Sequence, residues 1–225
     1  MAINLYKKEF SRIPDEELNS WAKIPTAIIG DSLNRQNVMR SDIKAIVPCR
    51  FSGQARTVST IAGDNGAIHA AMQIIKPREV LIVDGGGYNE RALWGGILNR
   101  IAIEKKVAAI VIDGGVRDIN ELRVMSMPIF AASNTPAGPH KGWGGEIDSN
   151  ISCGGVSVSP GDLVIGDDDG VVVVPLEKTN SVLKLSQKQL DQEEEILSKI
   201  SQGLSLEGAI AYPEVNIISS QYKEK

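Results

Sequence analysis

Arg117, Asp118 and Glu121 sit close together, and each residue type has a distinct chemical use. Asp118 and Glu121 stand three apart, so on a helical turn they share a face. Two carboxylates on one face can hold a hard divalent cation that keeps several of its waters. The Arg117 guanidinium beside them can grip a carboxylate or stabilise an enolate oxygen through its fork of donors. Asp-x-x-Glu is also the pattern of a helix N-cap with an acid at the third position. Spacing alone favours that cap.

The stretch that must position these residues runs from Val80 to Glu121. Val80–Val83 is a short β-branched run that reads as a buried strand and stops at Asp84 and the glycines Gly85, Gly86 and Gly87. Leu93 to Ile103 places Leu93, Ile97, Leu98 and Ile101 at helical spacing. Val107–Ile112 is a second buried strand, again ending in Asp-Gly-Gly. A strand-helix-strand unit of this length implies a parallel pair with a right-handed crossover. Both glycine turns then lie along the carboxyl edge of the sheet, where open α/β sheets bind ligands. The helix start near Gly95-Gly96 and the pair Arg117-Asp118 are thus expected to face one pocket. The amides of Ile97 and Leu98, at a helix N-terminus, suit a small carboxylate. A nucleotide or methyl-donor site needs an acid closing the next strand about 20 residues on, and Asp113 lies late for that.

The remaining chain supplies the frame. Ser11 to Asn37 reads as helical, with starts at Pro14 and Pro25. Gly53–Ile61 is a strand, Asn65 to Ile75 a helix and Met127–Ala131 a strand. Ala132 to Asp148 is a Gly- and Pro-rich loop, long enough to be functional or to pack on a partner. Gly154–Val158, Asp162–Ile165 and Val171–Val174 read as antiparallel strands, with Asp167-Asp168-Asp169-Gly170 as a hairpin turn and not a calcium loop. Leu176 to Gly203 is an amphipathic helix, and the polar tail beyond it is expected on the surface or on a neighbouring subunit. His69 is expected on a helix surface or core edge, and His140 near the pocket. Cys49 and Cys153 lack metal spacing and read as small buried or half-buried residues.

Composition limits the function classes. A chain of 225 residues suits one domain, and 42% hydrophobic residues is ordinary for a globular one. The net charge of −4 gives no nucleic-acid footprint. No apolar run is long enough for a membrane span, and a cytoplasmic location is expected.

Gly96, twenty intervening residues and then Arg117-Asp118-x-x-Glu121 resemble the G-X20-R-D-X2-E/D signature of the 4-hydroxy-4-methyl-2-oxoglutarate / 4-carboxy-4-hydroxy-2-oxoadipate aldolase family. Its superfamily includes the regulator of ribonuclease activity A. Gly30-Asp31-Ser32, Gly53-Gln54-Ala55-Arg56-Thr57, Gly63-Asp64-Asn65, Arg91-Ala92-Leu93-Trp94-Gly95, Ser159-Pro160-Gly161-Asp162 and Asp168-Asp169-Gly170-Val171 support the match in the family's order.

The resemblance implies a three-layer α/β/β/α swivelling-domain-like sandwich with N- and C-terminal helices. It implies a single domain over residues 1–225, with its core at 25–176 and the C-terminal helix at 176–203. It further implies a homotrimer or hexamer with class II aldolase activity toward 4-hydroxy-2-oxo acids and decarboxylation of oxaloacetate. Mg²⁺ or Mn²⁺ would be reached through Asp118 and ordered waters, with Arg117, Asp118 and Glu121 catalytic. Gly95, Gly96, Ile97, Leu98 and Arg117 would bind the 2-oxo acid, and Glu193 or Glu194 would reach a neighbouring subunit's site. Some aldolases of the family carry an acid directly after the Trp-Gly pair, where this chain has Gly96. The alternatives are a non-catalytic ribonuclease-regulating binding protein, against which Glu121 argues, and a methyltransferase.

Overall fold

The computed structural model describes residues 2–203 together with 214 and 216. All but two residues of the polar tail therefore lie outside the described residues. The centre of the fold is parallel. Strands β3 (Phe51–Thr60), β4 (Glu79–Trp94), β5 (Ala109–Val116) and β6 (Ile129–Asn134) pair in that order, and β2 (Lys44–Val47) closes the edge antiparallel to β6. The other edge of β3 is divided. Its first half pairs antiparallel with β10 (Leu163–Asp167), which continues into β11 (Gly170–Val174), and its last residues pair with β7 (Gly145–Ile147). β1 (Ile3–Leu5) lies parallel on β7, and β8 (Ile151–Cys153) with β9 (Val156–Val158) forms a separate hairpin.

Side-chain alternation along these strands creates the layers. Leu81, Val83, Ile110 and Ile112 face one core, which is covered by α3 (Gly66–Ile74), α4 (Gly96–Glu104) and α5 (Ile119–Met125). Val80, Ile82, Ala109 and Val111 face a second core closed by β8, β9, Val164, Val171 and Val173. The opposite faces of β10 and β11, through Leu163, Ile165, Val172 and Val174, build a third core with α1 (Asp15–Trp21), α2 (Thr26–Ser32) and α6 (Thr179–Ser201). The stacking is helix, sheet, sheet, helix, as the sandwich expectation requires.

Three sequence expectations are corrected. Gly85–Gly87 does not turn the chain into a helix, because β4 runs on to Trp94 and β5 continues through its own Asp-Gly-Gly to Val116. A Cβ on Gly85 would stand 2.6 Å from the Asp113 carbonyl oxygen, so at that position glycine permits close strand approach and not reversal. Consequently α4 begins at Gly96, not Leu93, and Leu93 and Trp94 are buried strand residues. The loop expected over Ala132–Asp148 contains the end of β6 and all of β7. The 11–37 segment holds two separate helices, as its two prolines indicate, and Asp167–Gly170 is a hairpin turn.

Candidate active site

The first amides of α4 are the natural place to begin. The first intrahelical bond runs from the Asn99 amide to the Gly95 carbonyl at 3.1 Å, which leaves the amides of Gly96, Ile97 and Leu98 without a helical partner. The Gly96 amide donates to Asp118 Oδ2 at 2.9 Å. Those of Ile97 and Leu98 remain for an anion at the positive end of the helix.

Asp118 occupies the N-cap position of α5, yet its backbone is left-handed with φ 62° and its side chain makes no cap bond there. The cap reading is therefore corrected: the carboxylate serves the start of α4, brought alongside by the Trp94–Val116 pairing of β4 and β5. The left-handed turn aims it there. Arg117 Nε stands 3.6 Å from the same oxygen, and its amide donates to the Trp94 carbonyl at 3.0 Å. The guanidinium makes no hydrogen bond among the described residues, so its donors are open to a ligand.

Glu121 lies one turn further on and is held by Arg100 Nη2, which donates to Oε1 at 2.6 Å. A Cβ placed on Gly96 would collide with Oε2 and stand 2.6 Å from Cδ of Glu121. The Glu121 carboxylate thus fills the space into which a side chain at position 96 would project. Gly95 is equally constrained, since its Cβ would lie 2.6 Å from Asp118 Oδ2.

Arg117, Asp118, Glu121, Gly95, Ile97 and Leu98 line one cavity of about 150 Å³. Asn65, His69 and Lys141 also line it, and sequence reading assigned none of them to the site. Asn65 and His69 are one turn apart on α3, a same-face spacing that could have found them. Asn65 Nδ2 donates to the Leu93 carbonyl at 3.1 Å, while its buried Oδ1 has no partner among the described residues. Burial, and then the charge of Lys141, hold the His69 imidazole below its ordinary value. His140 stacks on Trp143 with ring centroids 4.3 Å apart; it does not itself line the cavity, but its chain neighbours Pro139 and Lys141 both do. Glu193 and Glu194 are exposed on α6, whose packing is against α2 in the outer layer; neither lines the cavity in its own protomer.

The donor set suits a hard cation. Asp118 Oδ1 and Glu121 Oε2 take no hydrogen bond among the described residues, and both side chains are accessible at 39% and 43%. No group of three or more His, Cys, Asp or Glu suitable for a metal occurs among the described residues, so a cation here would complete its shell with water and ligand oxygens.

A helix start with two open amides, an uncommitted guanidinium and two half-engaged carboxylates meet in one cavity at the edge of an α/β sandwich. The family follows from comparison. The chain belongs to the RraA-like family described as Aldolase/RraA, whose model matches residues 26–173. A protein of Halalkalibacterium halodurans provisionally named 4-hydroxy-4-methyl-2-oxoglutarate aldolase is 38% identical over 178 residues, covering 78% of this chain and 85% of its own. The 4-hydroxy-4-methyl-2-oxoglutarate aldolase of Thermus thermophilus is 38% identical over 126 residues, 56% of this chain and 76% of its own. The crystal structure of Streptomyces coelicolor RraAS2, described as an unusual member of the RNase ES inhibitor RraA family, superposes with a TM-score of 0.76 at 28% identity. It covers 84% of this chain and 100% of that one. No helix among the described residues is long and apolar enough to cross a membrane.

Proposed function

We propose that the protein is a cytoplasmic carbon-carbon lyase, a divalent-metal-dependent class II aldolase that cleaves 4-hydroxy-2-oxo acids to pyruvate and also decarboxylates oxaloacetate. The observation that carries the reading is the convergence of Arg117, Asp118 and Glu121 on the open N-terminus of α4 in one pyruvate-sized cavity. The amides of Ile97 and Leu98 receive the substrate carboxylate. Arg117 sets its donors against the adjacent keto oxygen, where negative charge accumulates as the bond beyond C3 breaks. Asp118, steadied by the Gly96 amide, would hold Mg²⁺ or Mn²⁺ through ordered waters, with Glu121, steadied by Arg100, beside it. Such a cation acts as a Lewis acid on the 2-oxo group. Glu121 Oε2 would accept the proton of the C4 hydroxyl as the C3–C4 bond breaks, and C4 departs as the carbonyl carbon of the second product. Carbon-carbon cleavage leaves the pyruvate enolate, which is protonated at C3. Loss of carbon dioxide from oxaloacetate yields the same enolate.

The same reading includes assembly as a trimer or a pair of trimers. Ile97 at 76% exposure presents apolar surface at the cavity, and Val124 on α5 and Trp143 are exposed at 84% and 43%. In such an assembly Glu193 or Glu194 would approach a neighbour's cavity. The deciding experiment is oxaloacetate turnover by the purified protein with Mn²⁺, with Mg²⁺ and with chelator. Turnover that is absent under all three conditions, or unaffected by chelation, sinks the reading. Light scattering that finds a monomer at micromolar concentration sinks the assembly.

A further inference from the structure

Lys141 reaches the cavity from the irregular segment between β6 and β7, yet its backbone is clamped on both sides. The His140 amide donates to the Gly63 carbonyl at 2.8 Å, and the Asn65 amide donates to the His140 carbonyl at 3.0 Å. Beyond Lys141, the Trp143 amide donates to Asp64 Oδ2 at 3.1 Å, while Asp64 Oδ1 accepts from the Gly66 amide at 2.8 Å. Asp64 is wholly buried. Its chemistry is specific to a carboxylate, because two separate N–H donors need two acceptor oxygens and an amide would present NH₂ to one of them. Burying that charge is costly unless its hydrogen bonds do something an apolar residue could not. The fit is close on the other side as well: a Cβ on Gly66 would stand 3.0 Å from both Asp64 Oδ1 and the Gly142 amide nitrogen. His140 and Trp143 stack on each other, and of the residues from 140 to 143 only Lys141 lines the cavity.

We propose that Asp64 is a positioning residue whose buried carboxylate bridges the Gly66 and Trp143 amides, fixes the 140–143 turn against the start of α3, and thereby sets the Lys141 ammonium beside His69. Its effect on turnover rests on the lyase reading above; its effect on Lys141 does not. The test is the NMR titration of His69, which the variant His140→Gln distinguishes from the chain's one other histidine. In the wild type, Lys141 helps to hold His69 low. Asp64→Asn is expected to move the His69 midpoint up. Lys141→Met is expected to move it equally, and the double variant no further, as for two changes acting through one contact. Should Asp64→Asn fold poorly, Asp64→Ser can still accept from the Gly66 amide in a serine turn but cannot reach Trp143, and the same shift is expected. With oxaloacetate, Asp64→Asn should raise KM about fivefold with little change in kcat, the scale of one displaced exposed charge. A His69 midpoint unmoved in folded Asp64 variants overturns the proposal, as does one unmoved by Lys141→Met, or a double variant whose effects add. Absence of turnover in the wild type would overturn the lyase reading while leaving the titration result intact.

Discussion

The Asp118 carboxylate accepts the Gly96 amide at 2.9 Å, so an acid at the N-cap position of one helix in fact completes the start of another. This separates two properties that a capping residue would combine. Its backbone turn carries Arg117 and Glu121 to the cavity, and its side chain leaves one oxygen, Oδ1, facing no donor among the described residues.

Asp118→Asn is therefore expected to preserve the fold and abolish activity. Asparagine tolerates the left-handed φ and its carbonyl accepts the Gly96 amide. An amide, however, is a poor ligand for a hard cation. Oxaloacetate turnover should fall roughly a hundred- to a thousand-fold, the scale of losing one charge-stabilising contact. Asp118→Ala should in addition lower stability by about 1 kcal/mol, as for a lost cap. Wild-type turnover in Asp118→Asn, checked beside its thermal melt, rules out a metal-holding role.

Gly96 and Glu121 form a second testable pair, because the side chain of one occupies the space of the other. Gly96→Ala should displace the Glu121 carboxylate, lower stability by about 1–3 kcal/mol through overpacking and reduce turnover. Glu121→Gly removes the collision, so Gly96→Asp combined with Glu121→Gly should regain activity that neither single variant retains. A double-variant cycle on kcat/KM that shows simple additivity contradicts the shared-space geometry.

The sequence revealed the central strands because they are buried on both faces: Val80–Val83 and Val107–Ile112 read as apolar runs whichever core each residue enters. The continuation of β4 past Asp84 was not legible. Three glycines ordinarily mark reversal, but here Gly85 packs against the Asp113 carbonyl while Gly86 and Gly87, both at φ 67°, form an irregular stretch within β4. The proximity of Arg117, Asp118 and Ile97 was legible from the strand-helix-strand pattern, which survives the shift of the helix start to Gly96. Which helix Asp118 caps was not, since local spacing cannot distinguish an amide of its own helix from one across the sheet edge. Lys141 was hidden for a similar reason. Nothing near it in sequence reveals that Asp64 fixes its backbone.

The two thiols should differ sharply in reactivity. Cys49 is exposed, whereas Cys153 is fully buried, its thiol 3.6 Å from the Val83 carbonyl of β4. Burial first, and then the charges of Asp113 and Asp84, push the Cys153 thiol far above its ordinary value, so almost no thiolate forms at neutral pH. A thiol reagent should modify one cysteine in the native protein and the second only after denaturation. Rapid modification of both in the folded state contradicts this packing.

The same pocket of charge gives a pH-dependent stability prediction. Asp84 and Asp113 are paired neighbours on β4 and β5, and their side chains share the face that carries the second core. Asp113 is compensated by Arg40 at 3.2 Å and the Gly154 amide at 3.0 Å. Asp84 has the Gly86 amide at 2.9 Å, but burial and then the Asp113 charge raise its carboxyl above the ordinary 3.8. Between that value and its raised native one, the folded state binds the proton more tightly than the unfolded state. Stability therefore falls as pH rises through this window and stays depressed above it. Asp84→Asn keeps an acceptor for the Gly86 amide and removes the charge. Its melting temperature should exceed that of the wild type at about pH 7, and the gain should shrink as pH falls below the ordinary 3.8 toward about pH 3, where Asp84 is largely protonated in both states. Paired thermal melts across that range at low salt provide the check. A gain of equal size at both ends, or a loss at neutral pH, would mean that the Asp84 charge is compensated in the fold and not merely buried.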